Sequence, residues 1–234
     1  MNRNLLKYIA VFAMLADHIA LAFVGMDNSL GLIMRIIGRL TAPVMCYFLA
    51  EGYMYTRSKK KYAIRLLAFA VISQVPFSYF VTGRLWGGKL NMIFTLFFSF
   101  MMLIVLEKVQ NRALRVICVL GLFYLCSKSD WGLVAPLWII AFAFFRGDKK
   151  KLSLIYALIC SFWILRSVSV AVAGGGAWYD GLWQAGTLGF LVLLYFYNGE
   201  PGKASRFSKW FFYVFYPAHI LVIAVIYRNI LPFI

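Results

Sequence analysis

Negative charge is scarce in this chain. Eight acidic residues stand against 24 lysines and arginines, and charged residues of all kinds make up only 14% of the 234. A soluble domain carries about 25% charged and about 45–50% apolar residues. Here hydrophobic residues reach 63%. One core of this length cannot hide that much apolar surface, so lipid must solvate much of it. Histidine is rarer still, with only His18 and His219. The four cysteines, Cys46, Cys118, Cys126 and Cys160, lie in apolar runs without CxxC or Cys/His spacing. They are expected to pack as small apolar groups, not to form disulfides or hold a metal. No basic–aromatic groove pattern points to nucleic acid, and no internal repeat stands out. No cleavable signal peptide is expected, because the first apolar run is too long, carries Asp17-His18 and lacks a small-residue cleavage site.

What is present is a series of apolar runs, and a helical span needs roughly 20 such residues. The pattern predicts one all-α domain over residues 1–234, a polytopic membrane helical bundle of about nine transmembrane helices. The spans fall near 5–25, 31–55, 62–82, 90–107, 113–127, 131–145, 152–173, 182–197 and 210–230, the fifth and sixth being short. Lysine and arginine alternate between the loops. One set of segments holds Arg3 and Lys7; Arg57 and Lys59–Lys61; Lys108, Arg112 and Arg115; Arg146 and Lys149–Lys151; and Lys203, Arg206 and Lys209. The other set holds only Arg84, Lys89, Lys128 and Arg228. That bias predicts a cytoplasmic N-terminus and an outer C-terminus. The net charge of +16 then reflects topology and attraction to anionic lipid headgroups.

Charges inside a bilayer cost several kcal/mol unless paired or hydrated, so each is a candidate functional residue. The first span carries Asp17 and His18, the second Arg35, Arg39 and Glu51, and the last His219. Lys7 and His18 are eleven residues apart. At about 100° per residue they share a face, separated by about 16.5 Å along the axis. The second span returns antiparallel, bringing Arg39 to about the depth of Asp17. An Asp17–Arg39 ion pair is expected to offset both burial costs and to hold the helix that presents His18. Arg35 lies one turn away on the same face. His219, in "YPAH", is open between a functional role and a hydrogen-bonded place in a proline-bent span. Glu51 is open between a functional role and snorkelling. Asp130, Asp180 and Arg166 read as structural or rim residues.

The blocks "KYIAVFAMLADHIA", "RIIGRLTAPVMCYFLAEGYMYT", "YAIRLLAFAVISQVPF", "YNGEPG" and "KWFFYVFYPAH", in that order and spread over nearly the whole chain, together resemble the TraX family of pilin N-acetylases. The Lys7-x10-His18 spacing also resembles the (Arg/Lys)-x10-His signature of the wider transmembrane acyltransferases. The resemblance implies transfer of an acyl group, acetyl or longer, from cytoplasmic acyl-CoA to an acceptor, in the bacterial cytoplasmic membrane and without a metal. It implies that His18 is the catalytic histidine, with Asp17 beside it. Lys7, Arg35, Arg39, Lys59, Lys60 and Arg65 would bind the cosubstrate, helped by Lys61 or Lys149–Lys151. Glu51, Asn91, Lys209, Tyr216 and His219 fall in or near family blocks as acceptor-site or structural residues. The acceptor is a peptide amine or the hydroxyl of a glycan or lipid-linked sugar. A small-solute transporter is the alternative from another class, although many transporters are built from duplicated halves.

Overall fold

The structure, a computed structural model, describes residues 1–200, 202 and 206–230, and for 206–210, 212 and 230 the backbone alone. Among the described residues there is no β-strand, only an isolated bridge between Leu90 and Ser129. The helices are α1 (Arg3–Ile19), α2 (Ser29–Gly38), α3 (Thr41–Tyr55), α4 (Lys59–Thr82), α5 (Met92–Lys108), α6 (Arg112–Ser127), α7 (Val134–Phe144), α8 (Lys149–Ala173), α9 (Gly189–Phe196) and α10 (Arg206–Val225). Single π-helical turns extend α1 over Ala20–Val24 and α10 over Ile226–Ile230, and a 3-10 segment, Trp178–Leu188, leads into α9.

The starts are written in short polar side chains. Asn2, Asn28, Ser58, Asn91, Asn111 and Asp148 each accept a backbone N–H from the first turn of the helix that follows. Such caps satisfy donors that have no partner within the helix. Asp148 accepts from Lys151 N–H at 3.0 Å, and that bond holds its carboxylate below the usual range. Lys209 lies in α10, but its side chain is outside the described residues.

Among the described residues, four helical stretches are long and apolar enough to cross a membrane: Arg3–Val24, Ser29–Tyr55, Lys59–Thr82 and Lys149–Ala173. Of the nine expected spans, those near 5–25, 31–55, 62–82 and 152–173 fall in these stretches and the other five do not; the fourth, α5, has only 17 residues. The stretch 31–55 is not one straight helix. Pro43 has no N–H to give the carbonyl of residue 39, and its ring crowds that carbonyl. The chain therefore tightens at Arg39–Leu40, where Leu40 N–H reaches Ile37 O at 3.1 Å. The fifth and sixth expected spans are α6, of 16 residues, and α7, of 11. At 1.5 Å per residue they reach only about 24 and about 17 Å. The eighth begins as the 3-10 segment, not as an α-helix.

α1 packs against α2, α3 and α10, and α4 lies between α5 and α10. Aromatic residues fill the middle: Trp138, Tyr156, Phe142 and Phe190 are fully buried, and the Phe142 and Tyr156 rings stack at 5.6 Å. The outer faces are apolar too. Leu154, Leu158, Phe162 and Leu165 of α8 are exposed, and only 11% of that helix's most apolar stretch is buried. Such faces suit lipid, since soluble proteins rarely expose apolar patches this large.

Asn91 holds α4 to α5. Its side-chain amide donates to Ala70 O at 2.7 Å and Gln74 Oε1 at 3.0 Å, while its oxygen caps Ile93 N–H at 2.9 Å. It is fully buried and does not line the cavity described below. Its contacts all serve the joint between α4 and α5. Asn91→Ala removes a cap and the side-chain donor to Ala70 O, while Gln74 Oε1 keeps the backbone N–H of residue 91 at 3.0 Å. We expect a loss of about 2–4 kcal/mol, read as a lower thermal midpoint in detergent.

Candidate functional site

A cavity of about 1420 Å³ runs through the bundle. Arg3, Lys7, Glu51, Tyr62 and Arg65 line one end, and Asp17, His18, Arg39, Asp130 and Trp183 the other. Its lining follows α1 from Arg3 to Leu21, about 27 Å by helical rise. Between the ends the walls are apolar, with Met14, Phe48, Leu66, Phe77 and Leu96. Lys7 and His18 both line it, as their shared face requires.

The expected ion pair is formed, and Arg35 joins it. Arg39 Nη2 lies 2.6 Å from both Asp17 oxygens, and Arg35 Nη1 lies 2.9 Å from Oδ2. All three residues are buried. Their approach depends on a missing side chain: a Cβ on Gly38 would lie 2.3 Å from Asp17 Oδ1. Both guanidinium groups pair with the Asp17 carboxylate, Asp130 also lies within electrostatic reach of them, and aromatic faces cover them. Trp183 lies 4.5 Å from Arg35 and 4.6 Å from Arg39, and Trp131 lies 4.7 Å from Arg39. Contacts of this kind favour a desolvated cation. Trp131 reaches its place through a left-handed backbone, φ 61°, a conformation that is costly for a residue with a Cβ.

His18 is half-buried, and its ring meets Phe80 edge-on at 5.6 Å. Its Nδ1 lies 3.0 Å from Nε2 of the buried His219. His219 Nδ1 lies 2.6 Å from Phe215 O, and the Phe215 ring stacks on it at 4.6 Å. Tyr216 lines the cavity and touches the His219 ring edge-on at 6.0 Å.

At the opposite end Arg3 pairs with the buried Glu51 at 3.2 Å, and Tyr47 and Tyr197 donate their hydroxyls to the same carboxylate. Arg65 lies against the Tyr62 and Tyr213 rings. Lys7 lies 5.3 Å from the Phe48 ring centroid. Lys59 and Lys60 do not line the cavity. Lys59 is paired with Glu107, Lys60 is exposed, and Lys149–Lys151 are exposed away from it. Arg35 and Arg39 sit beside His18, at the other end from Lys7. Among the described residues no group of three His, Cys, Asp or Glu is arranged to hold a metal.

Several lining residues carry no sequence signal strong enough to find them. Arg3 reads as a terminal loop charge, and nothing in the order of residues singles out Trp131, Trp163 or Trp183. Among the described residues, five side chains along the cavity each keep a buried donor without a hydrogen-bond partner: Nε of Arg3, Arg35, Arg39 and Arg65, and Trp163 Nε1. Those atoms are ready to meet acceptor oxygens of a ligand.

Asp17→Asn leaves two buried guanidinium groups unpaired. The expected cost is about 3–5 kcal/mol, measured by thermal unfolding in detergent. Gly38→Ala should destabilise as well by prising the pair apart, although it changes no charge.

The TraX protein family model matches residues 2–227. The chain is 29% identical over 238 residues to the "Probable fimbrial assembly protein FimC, serogroup H1" of Dichelobacter nodosus, covering 95% of this chain and 97% of that one. It is also 35% identical over 83 residues to an uncharacterized protein of Rickettsia prowazekii (strain Madrid E), covering 36% of this chain and 32% of that protein. No solved structure matches. The match over nearly the full length, together with helices apolar enough for a bilayer, makes this chain a membrane protein of the TraX family.

Proposed function

We propose that this chain is an acyltransferase of the bacterial cytoplasmic membrane. It moves an acyl group, acetyl in the simplest case, from cytoplasmic acyl-CoA to an acceptor. The observation that carries the proposal is one cavity whose lining holds cations at one end and a histidine deep inside. The loop charges argue for a cytoplasmic N-terminus, which puts Arg3, Lys7 and Arg65 at the cytoplasmic mouth. With the bilayer thinned around the shorter helices, about nine crossings fit the same alternation. Arg3, Lys7 and Arg65 are the candidates to hold the phosphates, rather than Lys59 and Lys60. The apolar middle suits the pantetheine arm, and Lys7 and His18 stand about 16.5 Å apart along α1.

His18 then acts as general base. The acceptor nitrogen attacks the thioester carbonyl, the N–C bond forms and the C–S bond breaks. The proton leaves the nitrogen for His18 and passes on to the departing thiolate of CoA. Arg35 and Arg39 place two guanidinium groups beside the reacting carbonyl, where they favour the oxyanion. The acceptor approaches from the end lined by Asp130, Trp163 and Trp183. A fimbrial relative over nearly the full length favours the N-terminal amine of a pilus subunit as acceptor.

His18→Ala should lower turnover of acetyl-CoA by about 10²–10⁴-fold, measured as release of CoA thiol by membrane vesicles. Lys7→Ala and Arg65→Ala should instead raise KM for acetyl-CoA by about tenfold or more, because each removes a charge-assisted contact. Wild-type turnover in His18→Ala overturns the mechanism. Acetyl groups found on glycans but not on peptides, by mass spectrometry with and without the gene, would move the acceptor to a sugar hydroxyl. Solute uptake without CoA release would favour a transporter.

A further inference from the structure

The acyl-transfer reading leaves open which nitrogen of His18 takes the proton and what orients the ring. The hydrogen bonds around His219 answer both. Phe215 O can only accept a hydrogen bond, and it lies 2.6 Å from His219 Nδ1. That nitrogen must therefore carry hydrogen. A neutral imidazole has one N–H, so His219 Nε2 holds a lone pair. Across 3.0 Å it faces His18 Nδ1, which must be the donor. His18 is thereby held in the tautomer whose Nε2 is bare. His18 lines the cavity and His219 does not, so the Nε2 edge is the one left for the reaction.

We infer that His219 is a positioning residue for the transfer reaction: it fixes the tautomer of His18 and carries the hydrogen bond that strengthens when His18 becomes cationic. This rests on the acyl-transfer reading. When the acceptor's proton arrives at Nε2, His18 bears two N–H groups. Its Nδ1–H then donates to a neutral lone pair on His219, and a hydrogen bond with one charged partner is the stronger kind. His219 neither gains nor loses a proton. The proton at Nε2 goes on to the thiolate sulfur, and the chain Phe215 O, His219, His18 returns to its starting arrangement. Asp17 cannot do this work from the next position on α1. It points about 100° away and is taken by Arg35 and Arg39.

The geometry around both rings serves this order. Phe215 stacks on His219 at 14° between planes, and Phe80 abuts His18. The carbonyl that fixes His219 belongs to the same helix four residues earlier, so α10 carries both the acceptor and its orienting group.

Two substitutions separate positioning from space filling. In His219→Gln the side-chain Oε1 can still accept from His18 Nδ1. In His219→Phe the volume stays but the acceptor is lost. With membrane vesicles from a host deleted for the gene and complemented with each variant, release of CoA from acetyl-CoA is the readout. Expected is a fall in kcat of about 10²-fold for Phe, KM for acetyl-CoA within about twofold of wild type, and recovery by Gln to within about tenfold. Space filling predicts the reverse order, Phe active and Gln impaired, and would overturn the inference. So would full kcat in His219→Phe beside an inactive His18→Ala, which would leave the acyl-transfer reading intact. No CoA release by wild type, or full release by His18→Ala, would overturn that reading and this inference with it.

Discussion

Asp17 carries a charge at a depth where the neighbouring side chains are apolar, and the arrangement of one half of the cavity depends on how that charge is met. Two arginines meet it from a helix that has no room for a β-carbon at Gly38. Removing any partner would expose the others to a desolvation cost of several kcal/mol. The guanidinium groups are covered by indole faces from two other parts of the chain, Trp131 and Trp183. The ion cluster thus ties α1, α2, the turn before α7 and the 3-10 segment together. Because His18 follows Asp17 directly, fixing Asp17 also fixes the rotation of α1 that turns His18 toward the cavity.

The break at Arg39–Leu40 belongs to the same constraint. A straight helix from Ser29 to Tyr55 would bring the ring of Pro43 against the carbonyl of residue 39. Tightening the turn there ends α2 at Gly38 and leaves Arg39 as its C-cap, with its guanidinium against Asp17. Gly186 completes the fit, since a Cβ there would fall 2.1 Å from Ile36 O. The 3-10 segment can therefore lie directly on α2, which brings Trp183 over both arginines. Helix-breaking chemistry is tolerated in membrane helices where it is buried in protein, and here it positions charge.

What could be read from the amino-acid order alone follows from distance along the chain. The Asp17–Arg39 pair, the shared face of Lys7 and His18, and most helix starts are local or cross one short loop, so helical rise and capping chemistry suffice. The contact between His18 and His219 joins residues 201 positions apart, and no periodicity encodes that α10 packs on α1. Arg3 is misread for a related reason: a basic residue near a terminus looks like topology until Glu51 arrives from another helix. Lys59 looks like a ligand-binding loop residue until Glu107 takes it. Counting spans fails where segments are short, because α6, α7 and the 3-10 segment are apolar enough to suggest helices yet too short to cross unaided.

The distribution of polarity along the cavity bears on how a membrane enzyme could use it. A passage lined by charge throughout would fill with water from end to end, and water would compete with the acceptor for an activated acyl group. Here Met14, Phe48, Leu66, Phe77 and Leu96 separate the Lys7 end from the His18 end. An apolar collar of that kind matches the slender body of a pantetheine arm better than a hydrated ion. Under the acyl-transfer reading the arm itself plugs the passage while its thioester sits by His18. Binding the donor then closes the route by which water would reach it from the cytoplasm. The two charged ends need never be joined by water for the chemistry to run, and a single histidine with its partner on α10 can serve both.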